Sequence, residues 1–364
     1  MMDIAADVVD FLTKLNPKPQ GGVTKNDAVF LAGMVEMTKP KKIIEVGVAA
    51  GISSAVFLKC LMGQGSGRLY SYDALDYFYV EPSRRLGFVV FEQLPEALNR
   101  WKLNSKKTAR EAGREHRSKD VELAFIDARH SHPWPTIDLW LLLPALAQDA
   151  WVVLHDIALA VDPSRADVGA EILFKKWPGE KRVSPESPNI GAIKLSGNRD
   201  VTRQWLRAVL LEDWQDSIPV KILKDEGLFT WLHDKMKPEN FFQDRLLPEI
   251  LRNRNSSQPL AVWGAQQHGK DCIKCLRKAG LEVSFLVDSQ LKNVGRRVEG
   301  LKVSSPEILQ TLSPKPYVVI ANLYAGRSSD KLKTMGYEAS KNFGIFIDGM
   351  MFKKETRVPL SQGG

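Results

Sequence analysis

Four acids, Glu45, Asp73, Asp127 and Asp156, each close a short apolar run, and two histidines stand beside them: His130, three residues past Asp127, and His155, directly before Asp156. Carboxylates gathered at one edge can accept hydrogen bonds from ribose hydroxyls or hold a hard cation. A histidine near its ordinary pKa of about 6.5 can take a proton from a hydroxyl. One acid at the end of an apolar run is common. Four at successive run ends are hard to obtain by packing alone.

The first acid belongs to the stretch KKIIEVGVAAG, Lys41 to Gly51, which passes into ISSAVFLKCL. This reads as a buried strand, a glycine turn and a helix start. Gly47 and Gly51 let the backbone pass close to a ligand, and Ser53 or Ser54 can cap the helix whose free N–H groups face it. A turn of this kind sits at the carboxyl end of the first strand of a doubly wound α/β domain, where nucleotides bind. The spacing is E-x-G-x-x-x-G and not the G-x-G-x-x-G of dinucleotide sites.

The elements that must position these groups follow in order. Thr24 to Thr38 has helical spacing and ends before Pro40. Leu69 to Asp73 is a second strand, and an acid about 20 residues past the glycines suits ribose hydroxyls; the plain alternative for Asp73 is a turn or cap residue. Residues 74–99, rich in aromatics and carrying Pro82 and Pro95, read as a loop over the pocket. A strand around Trp101 to Leu103 leads to a turn, Asn104 to Thr108, on the side where the base of a bound nucleotide would lie. The strand Val121 to Asp127 runs into ARHSHPWP, and a helix from Thr136 precedes the strand Ala150 to Asp156.

The three motifs together, the glycine turn, F-I-D-x-x-H and V-V-L-H-D, resemble those of class I S-adenosylmethionine (SAM) methyltransferases. The branch they are most similar to includes sugar and natural-product O-methyltransferases and, more distantly, the magnesium-dependent catechol type. The likeness runs over residues 24–195, closing on a helix and the strand Asn189 to Leu195. It implies SAM as cofactor, held by Glu45, Gly47, Gly51, Ser53, Asp73, Thr108 and Asp127, with His130 as general base. Asp127 and Asp156 correspond to the magnesium ligands of the metal-dependent members. His155 stands where those members carry an acid or amide, so both a magnesium-assisted and a metal-free arrangement stay open. His130-Ser-His132 also has the form of a transition-metal pair, and a loop histidine bonded to backbone is the plain reading of His130.

At 364 residues the chain is long enough for two domains. Its hydrophobic content of 44% and charged content of 26% are those of a globular protein. The net charge of +8 permits nucleic-acid contact, yet the basic residues lie in small groups with acids between them, which reads as solvated surface. No run approaches the about 18 apolar residues of a membrane span. Asp3 and Asp7 stand where a leader would carry positive charge, so a cytoplasmic protein is expected. Three cysteines do not make a disulfide framework, and Cys272-x-x-Cys275 reads as two neighbours on a packed helix face.

The division expected is a methyltransferase domain over 1–198, a helical linker over 199–257, a smaller Rossmann-like domain over 258–350 and a tail over 351–364. In the smaller domain a strand to Trp263, a turn from Gly264 to Gly269 and a helix precede a strand ending at Asp288. Asp271 stands where a P-loop needs Ser or Thr, and Gln266 replaces the middle glycine of a dinucleotide turn. This stretch resembles domains appended to sugar methyltransferases and the nucleotide-sugar-binding modules of sugar acyltransferases, which implies either a nucleotide-sugar site or a purely structural domain. The reading that follows is a SAM-dependent methyltransferase acting on a hydroxyl of a glycan or small molecule. Its alternatives are a nicotinamide-dependent oxidoreductase using the second domain, or an inactive scaffold.

Overall fold

The computed structural model describes residues 4–15, 19, 22–158, 169–212, 214, 216, 218–235, 238–322, 325–339 and 341–346. The tail over 351–364 lies outside them. Two compact units divide the chain, residues 1–216 and 217–364.

In the first unit α1 (Ile4–Lys14) and α2 (Lys25–Thr38) precede β1 (Lys42–Val46), α3 (Ile52–Gln64) and β2 (Arg68–Asp73). Then come α4 (Phe88–Gln93), β3 (Trp101–Ser105), α5 (Ala109–Glu115), β4 (Val121–Ile126), α6 (Trp134–Leu142) and β5 (Leu146–His155). The closing elements are α7 (Gly169–Lys176), β6 (Lys181–Ser184), β7 (Ser187–Lys194) and α8 (Arg199–Leu210). The sheet order is β3-β2-β1-β4-β5-β7-β6. β1 to β5 are parallel, and β7 returns antiparallel between β5 and β6.

A parallel strand buried on both faces must be apolar nearly throughout. Ile43, Ile44, Leu123, Ala124, Phe125, Val152, Val153 and Leu154 are all fully buried. Phe57 on α3 packs edge-on against Phe125 on β4, with centroids 5.6 Å apart. Reversal of strand order on either side of β1 opens a crevice at the carboxyl ends of β1 and β4, where such sheets bind ligands. This is the doubly wound, Rossmann-like architecture expected from the motifs.

The second unit begins with short helices, α9 (Val220–Asp225), α10 (Leu228–Lys235), α11 (Pro238–Phe241) and α12 (Leu247–Asn253). Its six strands are β8 (Leu260–Trp263), β9 (Phe285–Val287), β10 (Arg297–Val298), β11 (Leu301–Ser304), β12 (Tyr317–Ile320) and β13 (Phe343–Ile345). Two longer helices, α13 (Gln267–Lys278) and α14 (Ala325–Thr334), complete it. The order β10-β11-β9-β8-β12-β13, parallel except for β10, makes a second, smaller α/β sheet. Of the helices read as a bridge, α8 falls in the first unit and α9 to α12 in the second. Cys272 and Cys275 are free and buried on α13, and burial pushes both thiols above their ordinary pKa. No described helix is long and apolar enough to cross a membrane.

Candidate active site

The glycine turn is built from backbone meeting backbone. Gly47 has φ +95°, and a Cβ there would sit 2.0 Å from the Asp127 carbonyl oxygen, so only glycine lets the turn lie against the end of β4. Gly51, at φ +88°, faces the backbone of Gly87, whose N–H donates to the Ala49 carbonyl at 2.9 Å. The close approach inferred for a ligand is therefore also a close approach of protein to protein. Gly51 is the N-cap of α3 and no side chain caps that helix. Ser53 and Ser54 instead donate to Glu45, each at 2.6 Å, and Ser71 donates to the same carboxylate at 2.5 Å.

Glu45 is thus fully enclosed behind the turn, and burial raises its pKa to about 7 against three hydroxyl hydrogen bonds that oppose the rise. Asp73 closes the turn from the other side. Its Oδ2 accepts the Val48 and Ala49 N–H groups at 2.9 and 3.3 Å, and its Oδ1 accepts the Leu75 N–H at 2.9 Å. Thr108 caps α5 through a reciprocal pair with Glu111. Ser53 and Asp127 border the cavity beside the turn, together with Gly47 to Ala50, Ile52, Tyr79 and His130; its volume is about 370 Å³.

A second cavity of about 680 Å³ shares Gly22, Tyr79, Asp127 and His130 with the first. Its other walls carry Asp27, His155, Asp156 and Asn189. Here the predicted cluster comes together. His130 Nδ1 lies 3.1 Å from Asp156 Oδ2, and His155 Nδ1 lies 3.3 Å from both Asp127 Oδ1 and Asp156 Oδ1. Donor atoms of Asp127, His130 and Asp156 all fall within 4.8 Å of one another, a spacing that could hold a metal ion. His132 is fully buried and is not part of that group.

Asp27, Tyr79 and Asn189 escaped the sequence reading. Asp27, buried at the start of α2, forms a capping box with Thr24 and accepts from the Ser187 hydroxyl. It also lies 3.4 Å from His155 Nε2. Burial alone would lower the pKa of His155, but Asp127, Asp27 and Asp156 around the ring push it up to about 11. That cation in turn holds Asp127 below the usual carboxylate range in spite of its burial. Asp27, also buried, is lowered by His155, Ser187 and Thr24 together. The signal for Asp27 was present as Thr24-x-x-Asp27, a capping pattern, but nothing in it points to a histidine 128 residues away. Tyr79 comes from the expected loop, which supplies it to both cavities, 55% exposed, on a turn closed by the Phe78 N–H to Arg84 carbonyl bond.

His130 is fixed through its backbone. Its carbonyl accepts the Gly169 N–H at 2.7 Å, and a Cβ at Gly169 would stand 2.6 Å from that oxygen. Asp216 holds the rest of the segment, pairing with Arg129 at 2.5 Å and donating its N–H to the His132 carbonyl at 3.0 Å. Asn189 on β7 donates to Asp156 Oδ1 at 2.7 Å. Asp156 itself has φ +61°, a left-handed backbone that aims its carboxylate at both His130 and Asn189.

No curated protein matches the chain. Among solved structures, several are similar over about half of this chain. The O-methyltransferase TomG of Streptomyces achromogenes is 16% identical, covering 54% of this chain and 91% of its own, with a TM-score of 0.37. A putative caffeoyl-CoA O-methyltransferase from Staphylococcus aureus is 15% identical over 54% and 93%, with a TM-score of 0.40. An O-methyltransferase from Bacillus cereus is 15% identical over 53% and 91%, with a TM-score of 0.35. Residues 44–157, which run from β1 past the end of β5 and include Glu45, Asp73, Asp127, His130 and Asp156, match a family model described as a methyltransferase domain.

Proposed function

We propose that the first unit is a SAM-dependent O-methyltransferase whose acceptor is a hydroxyl of a sugar, glycan or similarly polar small molecule. The observation that carries this is the pair of cavities joined at Asp127 and His130. One is walled by the glycine turn and fits a cofactor; the other is lined by carboxylates, amides and hydroxyls with Tyr79 at its side, a surface suited to a polyhydroxylated ring. Bound at the turn, SAM supplies a sulfonium methyl group already activated for in-line displacement.

The chain's own residues then have two tasks, holding the acceptor in near-attack geometry and removing its proton. With the proton on His130 Nδ1 donated to Asp156, Nε2 keeps a lone pair to take the acceptor's proton. Asp156 fixes that tautomer and stabilises the imidazolium that forms. His155 keeps the Asp127 carboxylate ionised and lies equally close to Asp156.

Asp127 and Asp156 fit a magnesium ion, which needs few carboxylates and keeps several waters. Such an ion lowers the pKa of a bound hydroxyl. His130 cannot serve as base and ligand at once, so this reading leaves the metal to the two carboxylates. His130→Ala should lower turnover on the order of 10²- to 10⁴-fold while SAM affinity, measured by calorimetry, stays near that of the parent. Full activity in that variant would remove His130 from the mechanism. Dialysis against EDTA should abolish activity and added magnesium restore it; an unchanged rate would leave His130 and Asp156 to act without metal.

A further inference from the structure

The second unit carries a cavity of about 320 Å³ at the carboxyl ends of β8, β9 and β12. β8 has β9 on one side and β12 on the other, so strand order reverses there, the place where open α/β sheets take ligands. Trp263, Gly264 and Ala321 are among the residues that line it. Two helices start at its rim, α13 of 12 residues and α14 of 10. Arg327 and Lys331 on α14 and His268 on α13 line it, and Asp288 is the one carboxylate among its described lining residues. Lys331 also pairs with Glu307 at 2.6 Å.

The turn after β8 departs from a dinucleotide site. Gly269 is required by the turn itself, because a Cβ there would stand 1.7 Å from the Gly264 carbonyl oxygen. At the middle position, Gln266 reaches across to Gln290 at 3.2 Å and ties the turn after β8 to the turn after β9. A dinucleotide's pyrophosphate would have to cross that link. Asp288 is held by the backbone, its two oxygens accepting the Ala265 and Gln290 N–H groups at 2.7 Å each. The volume stands at the low end of the about 300–1,000 Å³ range of ligand sites.

We propose that this crevice binds a single phosphate-bearing nucleotide, with the phosphates toward Arg327, Lys331 and the two helix starts, and that it excludes nicotinamide dinucleotides. Basic side chains and helix N-termini converging on one cavity are the chemistry of phosphate recognition. This assignment does not depend on the reading of the first unit.

The test is calorimetric titration of the full chain with the four ribonucleoside 5′-diphosphates, UDP-glucose, NAD and inorganic phosphate, with S-adenosylhomocysteine present. At least one nucleoside diphosphate should bind at one site per chain, with affinity falling tenfold or more in both Arg327→Ala and Lys331→Gln and unchanged in His130→Ala. Competition by UDP-glucose identifies the sugar conjugate as the form held, and its absence identifies the free nucleotide. Heat of binding from none of the nucleotides, or nucleotide affinity untouched in both α14 variants, overturns the site. NAD binding as tightly as the diphosphates, or inorganic phosphate matching them, overturns the size and class assigned.

Discussion

Glu45 and His155 illustrate how burial acts on single groups with opposite results. Burial raises the Glu45 pKa from 4.5 to about 7, because the three hydroxyls that donate to it offset the desolvation only in part. The folded state therefore binds a proton more readily than the unfolded one, and stability present below about pH 4.5 is lost as pH rises through about 7, by on the order of 3 kcal/mol. Glu45→Gln should flatten that decline, which urea unfolding at pH 5 and pH 8 would read; an identical slope would refute the assignment. Asp138, also raised to about 7 by burial, adds a similar slope that this substitution leaves in place. His155 is the reverse case, since its three carboxylate neighbours hold it charged. His155→Gln leaves those acids without their cation and should cost about 3–5 kcal/mol, measurable as a lowered denaturation midpoint at neutral pH. A midpoint within error of the parent would mean that water or bound metal supplies the missing charge.

At the scale of elements, much of the first sheet was legible because its strands are apolar runs of the right length bounded by turn residues. β1, β2, β4 and β5 lie within a few residues of the segments read from sequence. Helix ends were less so. α3 starts on a glycine without a side-chain cap, because the serines expected to cap it face the buried Glu45. Only the burial of Glu45 decides that choice, and burial is not written in the local sequence. The cluster of Asp127, His130 and Asp156 could be read because each lies just past a strand end. Asp27 and Asn189 could not, since they arrive from a helix start and an antiparallel strand that pack beside the pocket from distant parts of the chain. The turn itself is tested by Gly47→Ala, whose methyl would collide with the Asp127 carbonyl. Strain of about 1–3 kcal/mol is expected, with a lower melting temperature and weakened S-adenosylhomocysteine binding. Normal binding in that variant would show that β4 can retreat without disturbing the crevice.

For the whole molecule, the residues bordering both cavities of the first unit fall between Gly22 and Asn189, and Asp216 ends that unit while bracing the His130 segment. A fragment ending at Asp216 should therefore fold and bind S-adenosylhomocysteine with nearly the affinity of the full chain, as calorimetry would report. Loss of binding, in a fragment whose circular dichroism is that of a folded α/β protein, would mean that the first unit is not self-sufficient. Conversely, the crevice beside β8 and β12 is lined only by residues from Trp263 onward. Among the described residues each sheet thus carries its own ligand-sized opening, and substitutions at one sheet can be judged against the other as an internal control.

Asp27 joins three obligations in one side chain: it starts α2, anchors the hydroxyl of Ser187 at the head of β7, and faces His155. No neutral stepping stone leads away from such a position, because glutamate is a methylene too long for the cap and asparagine surrenders the charge. A lineage drifting under relaxed selection would be expected to keep this residue after many surface acids had been exchanged, and a protein engineer would do well to leave it alone.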